Sequence, residues 1–276
     1  MSYWHGDFME FIVNTAQFEK MIDNKIIGVP TLIDSNINFR GKNNILVCDN
    51  NIKLERVKID FNGDNSIVYV ASNLSDSFNL TIYNNSTVFI GKNSEISSNV
   101  SINILESQNL IIGDDCVIGK NVSITTSNGY SIYNSNNKQR INFPNNVLIG
   151  DHVLIGDNSF ISQGVIIGSG AILDNASFIR ANVKIPSNYF LSGNPAKIIR
   201  KDVFFTNEFT GSYNSSDSLN FKEYISDVFI FEVVDQESLS PSNINQILND
   251  LDVESRLDFI QKLFVSNKRK NRFAIM

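Results

Sequence analysis

A large aliphatic side chain recurs at every sixth position from Ile149 to Leu191: Ile149, Ile155, Ile161, Ile167, Leu173, Ile179, Ile185 and Leu191. Four places after each of the first six comes a smaller residue: Val153, Ser159, Val165, Ala171, Ser177 or Val183. An amphipathic helix repeats near 3.6 residues and a half-buried strand at two, so a period of six fits neither. It fits a coil of short strands and tight turns, in which each sixth residue returns to one row inside a prism. The pattern predicts an all-β solenoid, a parallel β-helix of hexapeptide repeats. Ile149, Ile155 and Ile167 are each followed by Gly, and Ile161 by Ser. Small residues there suit a sharp turn, and Gly opens backbone angles closed to other residues.

Upstream the same spacing recurs with breaks, in Ile112, Ile118 and Ile124 and in Ile90, Ile96 and Ile102. Between residues 40 and 90 it loosens into short apolar runs: Ile45-Leu46-Val47, Ile67-Val68-Tyr69-Val70, Leu80-Thr81-Ile82 and Val88-Phe89-Ile90. Asn, Asp, Ser or Gly bound each run, as turn formers do. Asn tolerates left-handed geometry, so the corners of a solenoid suit it.

Three regions follow. Residues 1–40 hold a short helix around Phe11 to Met21 and a breaker at Pro30. Residues 41–200 form the solenoid, interrupted by a loop near 125–146 that lacks the hexad. Residues 201–276 are aromatic, with Phe204, Phe205, Phe209, Phe221, Tyr224, Phe229 and Phe231. They read as a mixed α/β extension, with a strand at Val228–Val234 and helical spacing after Ser240-Pro241-Ser242. An open β-helix end exposes strand edges and core, so the extension is expected to cap that end, or else to meet a partner.

Composition removes several functions. A net charge of −6 gives no electrostatic case for nucleic acid. The run Lys268-Arg269-Lys270-Asn271-Arg272 reads as a solvated terminus or a contact for an anionic surface. Cys48 and Cys116 are far apart and form no metal-ligand spacing, so they read as reduced core thiols and no metal is expected. No apolar stretch reaches the ~18 residues that a transmembrane helix needs. Asp7 and Glu10 fall where a signal peptide would be apolar, so a cytoplasmic location is expected.

The stretch IGDDCVIGKNVSITTSNGYSIYNSNNKQRINFPNNVLIGDHVLIG (112–156), followed by SGNPAKIIR (192–200), resembles the hexapeptide-repeat acyltransferases. It is most similar to the branch that O-acetylates bacterial capsule and lipopolysaccharide sugars. The resemblance implies a left-handed parallel β-helix, acetyl-CoA as donor, a saccharide acceptor, and a homotrimer with active sites between neighbouring coils. A sugar hydroxyl is a weak nucleophile, so a base must take its proton as it attacks the thioester. Backbone N–H groups must then hold the oxyanion. In the family that base is a His on the loop leaving the helix.

This chain departs from the family there. The family loop commonly reads TSDGHSIYD; this one reads TSNGYSIYN. Tyr130 stands at the His position, and Asn128 and Asn134 replace acidic residues. Thr126, Ser127, Gly129, Ser131, Ile132 and Tyr133 are retained. A phenol titrates near pH 10, so only about one in a thousand is ionised at pH 7. The tyrosine is left with three readings: a weak base, a hydrogen-bond donor, or an aromatic plug in a vacated cleft. The chain has two histidines. His152, on a solenoid turn, reads as structural or as a substitute base, and His5 lies near the N-terminus. Asp151 and Glu106 read as turn or coil-edge groups. The resemblance puts coenzyme contacts at Leu154 (where the family usually has Trp), Ser162, Ala176, Ser177, Lys197 and Arg200. The expected activity is acetyl transfer to a sugar hydroxyl, with catalysis assigned to Tyr130, Asn128 and His152. The alternative is a catalytically silent scaffold of the same pathway.

Overall fold

The computed structural model describes residues 10–276 apart from 209, 221 and 222. His5, Phe209 and Phe221 fall outside the described residues. Three sheets run along the solenoid. The first has eight strands, from Glu10–Ile12 to Phe178–Ile179; the second has eight, from Lys25–Ile27 to Lys184–Ile185. The third has six, from Glu95–Ile96 to Ala196–Arg200, and a two-strand sheet of Thr31–Ile33 and Lys53–Glu55 stands apart from it. Strand pairing is parallel except at two terminal pairs, Glu10–Ile12 with Asn36–Phe39 and Phe190–Gly193 with Ala196–Arg200.

Register explains why the hexad is clean in one half and blurred in the other. Leu148 pairs with Ile166, and Ile166 with Lys184, each eighteen residues on. Three hexads therefore make one coil. Ile45 pairs with Ile67, Ile67 with Thr87 and Thr87 with Asn109, at spacings of 22, 20 and 22. The wider turns of these coils erase the six-residue period but keep the inward apolar positions. Across the loop Leu110 pairs with Val147, 37 residues later.

The hexad residues form the interior stack. Ile149, Ile155, Ile161, Ile167, Leu173, Ile179 and Ile185 are at most 1% exposed. Each such burial contributes about 1.5–3 kcal/mol. Asn occupies the left-handed corners, among them Asn43, Asn65 and Asn85, and Asn99, Asn121 and Asn158. Their amides link successive coils, as in Asn99 to Asn121 at 3.2 Å and Asn121 to Asn158 at 3.0 Å. The glycines after the hexad Ile residues have a different cause from the one expected. Gly150 is not left-handed; a Cβ there would lie 2.6 Å from the Ser169 backbone nitrogen of the next coil. Close approach, not backbone angle, excludes a side chain.

Both flanking regions differ from expectation. Thr15–Lys20 is a 3-10 helix, but strands from Lys25 onward already stack in the solenoid, ahead of the boundary expected at 41. In the extension, residues 228–234 are irregular rather than a strand, and helices occupy Pro241–Asp250 and Val253–Ile260. Ser240 and Asp252 cap them, accepting from the backbone N–H groups of Asn243 and Ser255. The extension is therefore helical where it is regular. It runs along the side of the solenoid and also bonds the last coil, where the Ser187 N–H donates to the Ile275 carbonyl at 3.0 Å and Asn188 donates to the Phe229 carbonyl at 2.8 Å. Ile244, Leu248, Val253, Leu257, Ile260, Phe264 and Phe273 pack on Ile45, Val47, Ile67, Tyr69, Phe89, Ile111 and Leu148, the outer side of the second sheet. Strands such as Ile45–Cys48 and Ile67–Val70 are thus apolar on both faces, as parallel strands covered on both sides must be.

One ion cluster fixes this docking. Arg272 is 2% exposed. It reaches Asp151 through two hydrogen bonds of 2.8 and 2.7 Å, and Asp114 at 2.9 Å. Its remaining nitrogen donates to the carbonyls of Phe264 at 2.5 Å and Asn267 at 2.9 Å. The last cation of the basic run is thus neither solvated nor free for an anionic surface, and Asp151 is an anchor rather than a simple turn group.

Candidate active site

The loop near 125–146 leaves the first sheet after Ser123–Thr125 and returns at Val147–Ile149. Its base is held from both sides. The Leu105 N–H donates to Thr126 Oγ1 at 2.8 Å, and that hydroxyl donates back to the Leu105 carbonyl at 3.1 Å. The Ser127 hydroxyl donates to the Glu106 carboxylate, and the Gly129 N–H donates to Ser127 Oγ at 3.1 Å. Beyond Tyr130 the chain forms a small antiparallel flap: Ile141 N–H meets the Ile132 carbonyl at 2.9 Å, and Tyr133 bridges to Arg140. Arg140 then returns to Glu106 in a two-pronged contact of 2.8 and 2.9 Å. That geometry suits a planar guanidinium and a carboxylate. The Arg140 guanidinium, with help from the Ser127 hydroxyl, holds the Glu106 carboxyl below the usual carboxylate range.

Asn142 fixes the residues around Tyr130. Its amide donates to Asn128 Oδ1 at 3.0 Å and to the Tyr130 carbonyl at 2.8 Å, and accepts from the Ile132 N–H at 2.6 Å. Gln163 also donates to Asn128 Oδ1, at 2.9 Å. Asn128 therefore serves as an internal acceptor for two amides. Tyr130 is 69% exposed. It stands on the rim of a cleft of about 390 Å³, lined also by Tyr83, Asn84, Leu105, Glu106, Ser107, Gly129 and Ser131. It does not plug that cleft. Glu106, expected as a coil-edge group, lies in the cleft wall and ties both ends of the flap.

His152 is not brought to Tyr130. It is buried at a left-handed corner (φ 53°) and stacks between Phe205 and Phe229, with ring centroids 4.0 and 4.1 Å away. Its Nε2 lies 2.9 Å from the Phe205 carbonyl, so that nitrogen carries the proton. Burial pushes its pKa down from the usual histidine value. It borders a separate cleft of about 370 Å³ between Asp114 and Asp115 on the solenoid and residues 267–270 of the extension. The substitute-base reading thus has no geometric support, while the structural reading has two stacked rings.

The expected coenzyme residues are scattered. Leu154 is half-buried in the third sheet, between Val117 and Ile172. Ser162 and Ser177 are buried, and Ala176 is exposed at a corner (φ 56°). Arg200 lies opposite Phe190 at the end of the final strand. Lys197 borders a hollow of about 320 Å³ with Ile179, Arg180, Val183, Leu191, Pro195 and Ala196. Arg180, absent from the expected set, supplies its second cation. No group of three or more His, Cys, Asp or Glu residues placed to hold a metal occurs among the described residues. Cys48 and Cys116 are buried free thiols, and burial raises the Cys48 thiol to about 12. No helix among the described residues is long and apolar enough to cross a membrane.

A family model described as a hexapeptide repeat of succinyl-transferase matches residues 109–132 and 146–181. Over those residues the solenoid is built of hexapeptide repeats. Its match breaks over residues 133–145, where the flap departs from the coil. Among solved structures, this chain is similar to the polySia-specific acetyltransferase NeuO, with 27% identity and a TM-score of 0.63 over 71% of this chain and 85% of that one. It also resembles the polysialic acid O-acetyltransferase OatWY, with 22% identity and a TM-score of 0.58 over 71% of this chain and 98% of that one. The latter likeness is one of fold. No curated protein matches the chain.

Proposed function

We propose that this protein transfers an acetyl group from acetyl-CoA to a sugar hydroxyl during synthesis of a bacterial surface polysaccharide, in the cytoplasm and as a homotrimer. The observation that carries the reading is the flap. Its frame is pinned at both ends, and Tyr130, one of its three departures with Asn128 and Asn134, lines an open cleft. In the proposed reaction the sugar oxygen attacks the thioester carbon, the C–S bond breaks and coenzyme A leaves as the thiol. Tyr130 donates a hydrogen bond to the developing oxyanion or orients the sugar oxygen. Glu106 is the one carboxylate in the cleft wall, but a base held so acidic by Arg140 takes protons poorly. Arg180 and Lys197 offer charge for the coenzyme phosphates at the far end of the solenoid.

That weak base favours a second reading, a silent scaffold that binds glycan or coenzyme without turnover. Two measurements separate them. Calorimetry with coenzyme A is expected to show binding that Lys197→Ala weakens. Acetyl transfer is expected from the native chain, with Tyr130→Phe lowering kcat about 10-fold or more through loss of one hydrogen bond to the transition state. A native chain without turnover that gains it as Tyr130→His with Asn128→Asp would establish the scaffold instead.

A further inference from the structure

The cleft beside Tyr130 sits at the ends of three neighbouring strands, Phe78–Ile82, Ser101–Ile104 and Ser123–Thr125. Inward residues of these strands are buried, and the alternate ones face out. Register aligns the outward residues in two rows: Asn79, Ser101 and Ser123 in one, Thr81, Asn103 and Thr125 in the other. All six are uncharged hydrogen-bonding side chains. Among the described residues, Thr81, Ser101, Asn103 and Ser123 make no side-chain hydrogen bond within the protein. The coil before them presents Lys58 and Asp60, which neutralise each other at 2.8 Å. The coil after them presents Phe160, which packs on Phe178 with ring centroids 5.6 Å apart.

The cleft itself has the same character. Among the described residues no lysine or arginine lines it, and its single carboxylate is paired with Arg140. Two phenol rings, Tyr83 and Tyr130, border it, and Asn84, Ser107 and Ser131 add hydrogen-bonding groups. A polyanion needs cations, because long-range attraction and phosphate or carboxylate pairing both depend on them. The molecule also carries a net charge of −6, which repels one. An uncharged glycan needs what is present: hydroxyl and amide partners in rows, and ring faces for its C–H surfaces. Adjacent strands lie about 4.8 Å apart, close to the rise of one sugar unit in an extended chain.

We infer that the acceptor is an uncharged glycan chain, laid across the Asn79–Ser123 and Thr81–Thr125 rows with one unit entering the cleft between Tyr83 and Tyr130. This rests on the proposed acetyl transfer for its purpose, but not for its test, because binding is read without turnover. The acceptor class differs from the polysialic acid named for the two solved relatives. Tyr83 and Asn103 become specificity-determining residues.

The probes are neutral oligosaccharides of bacterial surface polymers and oligomers of sialic acid, from one to eight units, titrated by NMR against the full chain. Neutral oligomers are expected to bind at least about 10-fold tighter than sialic acid oligomers of equal length, and tighter as length grows. Asn79→Ala with Asn103→Ala is expected to cost about 10-fold on long neutral oligomers, as for two lost hydrogen bonds, and under twofold on single sugars. Tyr83→Ala is expected to weaken both. Sialic acid oligomers binding as tightly as neutral ones overturns the inference. So does failure of every neutral oligomer to bind, or long-oligomer affinity unchanged in the double variant. Neutral binding without any acetyl transfer overturns only the proposed function; acetyl transfer to polysialic acid overturns only this inference.

Discussion

Individual residues here are constrained mostly by the coil above them. Gly150 is the clearest case. Its missing Cβ would fall 2.6 Å from Ser169 N and 2.9 Å from Ser169 Oγ, so the neighbouring backbone must shift if a methyl is added. Gly150→Ala is expected to destabilise the solenoid by about 1–3 kcal/mol, as overpacking does, and a thermal melt reads this directly. Asn corners behave oppositely: Asn121 already holds a left-handed φ of 57°, so Gly fits its backbone, and substitution there should cost only its two exposed amide hydrogen bonds, about 1–2 kcal/mol. The sequence showed both residue types in the right places. It suggested backbone freedom for the glycines, whereas the structure separates the two jobs, space at Gly and handedness at Asn. The Glu106–Arg140 pair was not legible at all. Its members lie 34 positions apart, and only the folded flap brings them together.

At the scale of elements, the C-terminal extension shows that a local reading identifies helices without saying which face of the solenoid they cover. Helical spacing after Ser240 identified the helices. Two-sided apolar strands such as Ile67-Val68-Tyr69-Val70 already signalled a covered face, yet an open solenoid end looked the greater need. The docking depends on Arg272, since Asp151 would otherwise be a buried carboxylate without a cation. Burial already pushes Asp151 upward, against the pull of Arg272. Arg272→Met is expected to cost about 3–5 kcal/mol, and adding Asp151→Asn should restore part of it. Limited proteolysis beyond residue 200 reads the undocking in both variants. His152 adds a pH term to the same contact. It faces Asp114, Asp115, the Asp151–Arg272 pair, Lys92 and Lys270 around its cleft, and its docked pKa is below its free value. Docking is therefore complete above about pH 6.5, and weakens as pH falls below it, because the undocked imidazole takes the proton first. The protection of the extension's amides, measured relative to the intrinsic exchange rate at each pH, is expected to fall from about pH 7.5 to about 5.5. His152→Asn, which keeps a residue tolerant of the left-handed corner, should remove that dependence.

The whole molecule has three faces in three different conditions. The second sheet is sealed by the extension, the first presents its polar rows, and the flap carries Ile132, Tyr133, Ile141 and Phe143, exposed by 41, 60, 62 and 64%. Isolated apolar side chains on a surface need no explanation, but four on one small flap form a patch of the kind that marks an interface. The resemblance that implied a homotrimer counted Ile132 and Tyr133 among the retained loop residues and gave no reason for their exposure. The patch gives the trimer a physical seat: in a closed three-fold ring each flap meets the same surface of the next copy. If so, the cleft at Tyr130 is walled by a neighbour, and assembly and activity must fall together. Light scattering of the native chain is expected to give three times the mass of 31.0 kDa. Ile141→Asp with Phe143→Asp is expected to give monomers with an unchanged solenoid melt and little acetyl transfer, because the flap's own hydrogen bonds to Asn128, Tyr130 and Glu106 do not involve either side chain. A monomeric native chain with full transfer would show instead that the patch is a surface feature and that one coil stack suffices for the chemistry.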